Sequence, residues 1–242
     1  MRLLNILITL ILILLYSKQI DKDFILFLIS GISILLFANF QNDYVDREID
    51  LRKGKRKLII SPGLQLALLV ISLLTSFFIS FKVFFLFLIM AILINFYNLI
   101  ASKKPYGFLI TTLVVSIGIF SLGPVFGFKE SLIYLVIFAF LFNLVREIVK
   151  SFIDYDYDYY YRETLAIKIS KSNTRLLIKS LLVFILISLI FCEILIKSLY
   201  FLLYILIFAF LIILYFLNFY SEKILSHVLK LLMLLGFLSL LL

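Results

Sequence analysis

The chain has 242 residues, of which 64% are hydrophobic and only 15% are charged, and its mean hydropathy is +1.20. A soluble globular domain is about 45–50% apolar and about 25% charged, so this composition excludes a water-soluble fold. The formal net charge is +9, from 23 Lys and Arg against 14 Asp and Glu. In a membrane protein such an excess first reports orientation and contact with anionic lipids, and nucleic acid is not an expected partner. The one cysteine, Cys192, excludes an internal disulfide.

Polar breaks divide the chain into nine apolar stretches of roughly the length that a spanning helix needs, about 20 residues. They cover residues 3–17, 24–45, 62–80, 82–99, 107–127, 131–149, 174–196, 198–219 and 221–242. The first is short, and the break between the third and fourth rests on Lys82 alone, so eight to ten helices are expected. No small-residue cleavage site follows the first stretch, which favours a retained helix over a signal peptide. The sequence predicts one all-α, polytopic transmembrane domain covering residues 1–242.

Two connecting segments, 42–62 and 146–173, are long and densely charged. If the stretches alternate and the N-terminus is cytoplasmic, seventeen of the 23 Lys and Arg residues fall on the cytoplasmic side and five on the other, with Lys230 inside the last helix. This distribution follows the positive-inside rule. It places both charged segments on the cytoplasmic side, where we expect the active site of a multi-pass protein of the cell membrane.

The first charged segment opens with four oxygen-bearing side chains at spacings of three and four residues, which a continuing helix would place on one face. They are Asn42, Asp43, Asp46 and Asp50. The carboxylates of such a stripe repel one another unless a cation lies among them. Arg47 and Glu48 would point elsewhere.

The second charged segment carries Asp154 and Asp158 four residues apart, on the helical face that also holds Lys150 and Arg146. Asp156 would lie on the other side. Charges near a membrane are costly and usually mark function, and two such clusters outweigh the alternative of ordinary solvated helix ends. Mg²⁺ takes oxygen ligands and commonly joins one or two carboxylates to substrate phosphates. The two clusters therefore predict a diphosphate held through magnesium.

The pattern N-D-x-x-D-x-x-x-D at 42–50, followed about a hundred residues later by D-x-x-x-D at 154–158, resembles the UbiA superfamily of intramembrane prenyltransferases. Within that superfamily, Arg-Glu-Ile-Val-Lys at 146–150 and Thr-Leu-Ala-Ile at 164–167 are most similar to archaeal digeranylgeranylglyceryl phosphate synthases. Ser151 stands where those proteins commonly have Asp.

The resemblance implies nine transmembrane helices around a central cavity with a cytoplasmic polar cap, and prenyl transfer that depends on Mg²⁺. The metal ligands that it implies are Asn42, Asp46, Asp50, Asp154 and Asp158. The catalytic carboxylates that it implies are Asp43, Asp46, Asp154 and Asp158. The substrate-binding residues that it implies are Asn42, Lys103, Lys104, Arg146, Lys150, Arg56, Arg2 and Asn5.

The donor implied by the resemblance is geranylgeranyl diphosphate, and the acceptor is the free hydroxyl of geranylgeranylglyceryl phosphate, which would give the second ether bond of archaeal membrane lipids. Asp43 or a tyrosine of 155–161 would take the hydroxyl proton. Two alternatives stay open: an aromatic quinone precursor as the acceptor, and a polytopic transporter without enzymatic activity. The expected partners are the prenyl diphosphate, a lipid-like acceptor and membrane lipids, with no obligate protein partner.

Overall fold

The computed structural model describes residues 2–52, 54 and 59–241, with the backbone alone at residues 2–5 and 52. Its helices, in chain order, are α1 (Arg2–Ser17), α2 (Lys22–Val45), α3 (Arg47–Arg52), α4 (Pro62–Ile79), α5 (Phe81–Leu99), α6 (Gly107–Phe120), α7 (Leu122–Phe126), α8 (Glu130–Ile153), α9 (Tyr155–Asp158), α10 (Leu165–Ile169), α11 (Lys171–Ile196), α12 (Leu199–Phe216) and α13 (Glu222–Leu241). The described residues also contain a 3₁₀ turn, Ala101–Lys103, and no strand.

The long helices correspond one to one with the nine predicted stretches. Within the described residues, eight spans are long and apolar enough to cross a membrane, with α6 and α7 together forming the span Gly107–Phe126. The ninth stretch is α1, which is shorter and apolar from Ile6 to Ser17. The prediction of an all-α, multi-pass membrane protein is therefore confirmed. That residues 1–242 form one domain stays a prediction.

The break between α4 and α5 lies at Ser80, two residues before the Lys82 on which its prediction rested. Ser80 has an extended backbone, and its Oγ accepts a hydrogen bond from the N–H of Val83 at 3.3 Å. Serine is favoured at this position because its side chain satisfies one of the unpaired amides at the start of a helix. A capping residue, rather than a charge, separates the two helices.

The span Gly107–Phe126 is interrupted at Ser121, between α6 and α7. Pro124 lies three residues further on, and a proline has no N–H and crowds the carbonyl four residues before it. Gly123 allows close packing at this point, because a Cβ there would lie 2.5 Å from the Phe128 ring and 2.8 Å from Leu132. The side chains of Phe128 and Leu132 therefore pack directly against the backbone at Gly123.

The described chain forms two compact units, and the first comprises the chain up to Ser102 together with Ile117–Leu132. Small polar groups join α2 to α4 in this unit. Ser30 Oγ and Thr75 Oγ1 lie 2.6 Å apart, and Ser72 Oγ donates to the Ser30 carbonyl at 2.9 Å. Because lipid provides little hydrophobic drive between helices, small side chains and interhelical hydrogen bonds hold such pairs together. This contact positions α2, whose end carries the first acidic cluster.

The end of α1 is tied into the same unit by Tyr16, whose side chain is fully buried. The Tyr16 hydroxyl donates to the Gly127 carbonyl at 2.8 Å and accepts from the N–H of Lys129 at 3.2 Å. The Lys129 ammonium donates to the Tyr16 carbonyl and lies 4.3 Å from the centre of its ring. These contacts make α1 an integral helix of the unit.

The second unit comprises Lys103–Ser116 and Ile133–Leu242. Apolar side chains at helical spacing on α8, α11, α12 and α13 form its core. Aromatic pairs join α8 to α12: the rings of Phe138 and Phe201 are 5.8 Å apart, and those of Phe142 and Phe208 are 5.4 Å apart. This core holds α8, whose end carries the second acidic cluster.

Candidate active site

The first acidic cluster lies where α2 passes into α3. The N–H of Asp46 donates to the Asn42 carbonyl, and the N–H of Asp50 donates to the Asp46 carbonyl, both at 2.9 Å. Helical hydrogen bonding therefore continues through the junction. Asn42, Asp46 and Asp50 follow one another by one turn along a single helical face.

Burial separates the two faces of this junction. Asp43 is 3% exposed and Asp50 is 8% exposed, whereas Arg47 and Glu48 are exposed. A buried carboxylate is costly unless cations or hydrogen-bond donors surround it. The buried face therefore needs cations or hydrogen-bond donors around it, whereas Arg47 and Glu48 lie on the exposed side.

The second acidic cluster lies where α8 passes into α9. The N–H of Asp154 donates to the Lys150 carbonyl, and the N–H of Asp158 donates to the Asp154 carbonyl, both at 2.9 Å. Asp158 is 4% exposed. The side chain of Asp156 is 74% exposed and pairs with Lys171 at 3.2 Å, so it points away from Asp158.

The two junctions repeat the same local structure. Asp46 has φ −87° and ψ 6°, and Asp154 has φ −87° and ψ 3°. This bridge region is sparsely populated and is common among active-site residues. Each junction thus has a central aspartate in the same backbone conformation and a buried aspartate one turn later, Asp50 or Asp158.

Within the second unit, a backbone hydrogen bond joins the loop that carries Lys103 and Lys104 to the segment that follows the second cluster. The N–H of Glu163 donates to the Lys103 carbonyl at 3.1 Å, five residues after Asp158. The side chains of Lys103 and Lys104 are exposed. Ser151 accepts a hydrogen bond on its Oγ from the N–H of Ala166 at 3.1 Å, which ties the end of α8 to α10.

A cluster of charges lies one to two turns before Asp154. Glu147 Oε1 accepts from Arg146 at 3.0 Å and from Lys150 at 2.5 Å. Lys230 of α13 is 4% exposed, and its charge interacts with those of Arg146, Lys150 and Glu147. Glu147 therefore fixes the side chains of two predicted substrate-binding residues.

A neutral polar network lies beside the first cluster, within the first unit. Gln41 donates to Asn95 Oδ1 and accepts from Asn98 Nδ2, both at 2.7 Å. Asn98 is buried, and its Oδ1 has no hydrogen-bond partner among the described residues. Amide side chains hydrogen-bonded across helices fix α2 against α5 one residue before Asn42.

The model of the UbiA prenyltransferase family matches residues 5–241 of the chain. The chain belongs to the UbiA prenyltransferase family. No curated protein sequence matches it.

Solved structures share the fold of this UbiA family member. One is described in work on digeranylgeranylglyceryl phosphate synthase in membranes; it is 23% identical, with a TM-score of 0.74 over 98% of this chain and 91% of that chain. The apo UbiA homolog from Aeropyrum pernix K1 is 14% identical, with a TM-score of 0.72 over 99% and 94%. The UbiA homolog from Archaeoglobus fulgidus bound to GPP and Mg²⁺ is 14% identical, with a TM-score of 0.68 over 99% and 98%.

The oxygen donors of this UbiA family member suit Mg²⁺ by their chemistry. The four candidate aspartates, Asp46, Asp50, Asp154 and Asp158, offer carboxylate oxygens, and Asn42 offers an amide oxygen, which are ligands of a hard cation. Among the described residues, no three or more His, Cys, Asp or Glu side chains are grouped as a metal site. Mg²⁺ commonly keeps several waters and takes one or two carboxylates together with substrate phosphates, so substrate can supply the remaining ligands.

The structure describes the two aspartate clusters but not every predicted site residue. Each aspartate cluster has helical hydrogen bonding through it and one buried face. Arg56 and the side chains of Arg2 and Asn5 lie outside the described residues.

The structure also adds residues that the sequence analysis did not select. Glu147 and Lys230 join the charges at the end of α8, and Gln41 joins Asn95 and Asn98. The sequence held one signal that could have identified Lys230, because an ionisable residue inside an apolar helix is a functional candidate by default.

Glu147→Ala is expected to destabilise the protein by about 3 kcal/mol, because it removes the carboxylate that pairs with Arg146 and Lys150 in a largely buried position. The measurement is the free energy of unfolding of the detergent-solubilised protein. Glu130→Ala, at an exposed position in the first turn of the same helix, should cost no more than about 1 kcal/mol. Equal effects of the two substitutions would contradict a structural role for the Glu147 ion pairs.

Proposed function

We propose that this UbiA family member transfers a geranylgeranyl group from geranylgeranyl diphosphate to the free hydroxyl of geranylgeranylglyceryl phosphate. The product carries the second ether bond of an archaeal membrane lipid. The proposal rests on the two equivalent helix junctions, each with a bridge-region aspartate and a buried aspartate one turn later. Similarity to the structure described for digeranylgeranylglyceryl phosphate synthase supports the choice of acceptor.

The two clusters bind the donor by its diphosphate in this proposal. The metal-binding residues are Asn42, Asp46, Asp50, Asp154 and Asp158. When bound, Mg²⁺ neutralises the charge that develops on the diphosphate as it leaves. The archaeal neighbours support this role, since two Archaeoglobus fulgidus structures hold a prenyl diphosphate, GPP or DMAPP, with Mg²⁺.

The basic residues complete the recognition of the phosphate groups. Arg146 and Lys150, held by Glu147, and Lys103 or Lys104, on the loop that reaches Glu163, supply positive charge toward the leaving group. Fixed donors aimed at developing charge lower the barrier because they need no reorganisation during the reaction. We assign Arg56, Arg2 and Asn5 to substrate binding on the resemblance alone.

The transfer step exchanges one carbon–oxygen bond for another. The bond between the allylic carbon and the diphosphate breaks, and the diphosphate leaves with the electron pair. The acceptor oxygen then bonds to the allylic carbon, and its proton passes to a base. Asp43 is the candidate base in the first cluster, where it is 3% exposed, and the tyrosines of 155–161 are the alternative. Aromatic faces can stabilise the allylic cation, and the chain has 27 Phe and 14 Tyr.

The membrane suits these substrates. We propose that the protein lies in the cell membrane with its acidic clusters on the cytoplasmic side, as the distribution of Lys and Arg indicates. A C20 prenyl chain can then stay among helices and lipid while its diphosphate meets the charged helix ends.

The deciding experiment compares acceptors. Purified protein in detergent is incubated with Mg²⁺, labelled geranylgeranyl diphosphate, and either geranylgeranylglyceryl phosphate or an aromatic acid such as 4-hydroxybenzoate. We expect labelled ether product with the lipid phosphate alone, and none after the Mg²⁺ is chelated with EDTA. Product only with the aromatic acid would overturn the acceptor assignment. A folded protein that transfers to neither class would contradict the enzymatic proposal and favour a transporter.

A further inference from the structure

We propose that Lys230 on α13 binds the phosphomonoester headgroup of the lipid acceptor, next to Arg146 and Lys150 on α8, which then lie between the phosphate groups of the two substrates. The inference rests on the proposed function for the identity of the acceptor and on the second unit alone for its geometry. In this proposal Lys230, a charged residue buried in the middle of an apolar helix, helps to select the acceptor.

Side-chain contacts set the register of α8 against α13. Asn143 Nδ2 lies 3.5 Å from the sulfur of Met233. One turn further along α8 comes Glu147, and one turn back along α13 comes Lys230. Two spans, α11 and α12, lie between α8 and α13, which therefore run in opposite directions when the chain alternates across the membrane. Glu147 and Lys230 therefore lie at the same level. Their charges interact, and Lys230 also interacts with Arg146 and Lys150.

The cluster holds more positive than negative charge in a buried place. The side chains of Arg146 and Glu147 are each 14% exposed and Lys230 is buried, whereas the side chain of Lys150 is 41% exposed. Arg146, Lys150 and Lys230 against Glu147 give these four side chains a formal charge of +2, and Asp154, one turn after Lys150, also acts on Lys150. The Nε of Arg146 is buried and has no hydrogen-bond partner in the described part of the chain. A buried donor of this kind is normally paired, which points to an anionic ligand.

The charge of the cluster suits a phosphomonoester. A phosphomonoester carries about −1.5 to −2 at neutral pH, with three acceptor oxygens, which is close to the opposite of the cluster. Lys150 lies four residues before Asp154, and its charge interacts with that of Asp154. Arg146 lies eight residues before Asp154, about 12 Å along a helix axis. The end of the cluster that holds Arg146 and Lys230 is therefore the end further from the carboxylates assigned to the donor. Its own carboxylate, Glu147, already binds Arg146 and Lys150. The cluster can therefore bind a phosphate group without a metal ion.

Lys230→Met tests the subsite, because it removes the charge and keeps most of the side-chain length. We expect a rise of about 10- to 100-fold in the KM for geranylgeranylglyceryl phosphate, the effect of losing one charge-assisted hydrogen bond. The KM for geranylgeranyl diphosphate should change by less than about twofold. Lys223→Met removes the same charge from an exposed position on the same helix and should change neither value. Lys230→Arg should retain most of the affinity for the acceptor.

A binding titration without donor and without Mg²⁺ separates this inference from the proposed function. Wild-type protein should bind geranylgeranylglyceryl phosphate more tightly than geranylgeranylglycerol, and Lys230→Met should remove that difference. The same result with no prenyl transfer in any assay would keep the subsite and refute the proposed function. An unchanged preference for the phosphate, or a raised KM for the donor instead of the acceptor, would overturn the subsite. Lys230→Gln gives the same test if the Met variant does not fold.

Discussion

Asp46→Asn is expected to lower kcat for prenyl transfer by about 10²- to 10³-fold, the usual cost of removing one electrostatic contact to the transition state. The substitution keeps the size and hydrogen-bonding shape of the side chain but removes its charge. Asp46 is the central residue of the first junction, where the N–H of Asp50 donates to its carbonyl. Because that contact uses the backbone, the helix should survive the substitution.

The matched control for Asp46 is Glu48→Gln, two residues later on the exposed side of the same junction. It removes one carboxylate charge from the same segment, so a general effect of net charge would lower both activities equally. We also expect Asp46→Asn, but not Glu48→Gln, to raise the Mg²⁺ concentration that gives half-maximal rate. A fully active Asp46→Asn protein with a wild-type Mg²⁺ requirement would remove Asp46 from the metal-binding set.

The spans could be predicted from the sequence because their signal is local. A run of about 20 apolar residues either crosses a membrane or needs an exceptional core, and a densely charged segment such as 42–62 is not expected to cross one. Two details were not predicted: the interruption of the span Gly107–Phe126 at Ser121, and the residue that separates α4 from α5, which is Ser80 rather than Lys82. Ser80 ends one helix and caps the next, and a serine inside an apolar run is too common to identify as a cap from sequence alone.

The faces of the acidic clusters were predictable for the same reason. Helical periodicity alone places Asp43 and Asp50 on one side of their junction and Glu48 on another, and the burial follows that division. The conformation shared by Asp46 and Asp154 was not predictable, because the sequences around them differ in charge and in size.

Contacts between distant helices were beyond the sequence. Gln41 and Asn98 are 57 positions apart, and Asn143 and Met233 are 90 apart. Nothing in the local pattern around Lys230 says which helix it meets, so its charge could be noted but not given neighbours. The structure supplies that information, and with it the difference between a lysine that reports topology and one that takes part in a buried charge cluster.

Asp158 and Asp156 offer the sharpest comparison in the second cluster, because they are two residues apart on the same short helix. Asp158 is 4% exposed, whereas the Asp156 side chain is 74% exposed and pairs with Lys171 at the surface. We expect Asp158→Asn to lower kcat by about 10²- to 10³-fold. Asp156→Asn should leave kcat within about twofold, since exposed ion pairs contribute little.

The same pair of variants tests whether the second cluster acts on the donor. If Asp158 binds Mg²⁺ with the diphosphate, Asp158→Asn should weaken binding of geranylgeranyl diphosphate in the presence of Mg²⁺ and have little effect in its absence. A purely structural role would instead lower the unfolding temperature and leave donor affinity unchanged in the folded fraction. Equal losses of activity in Asp158→Asn and Asp156→Asn would show that net charge in the segment matters, rather than the buried carboxylate, and would refute the role proposed for Asp158.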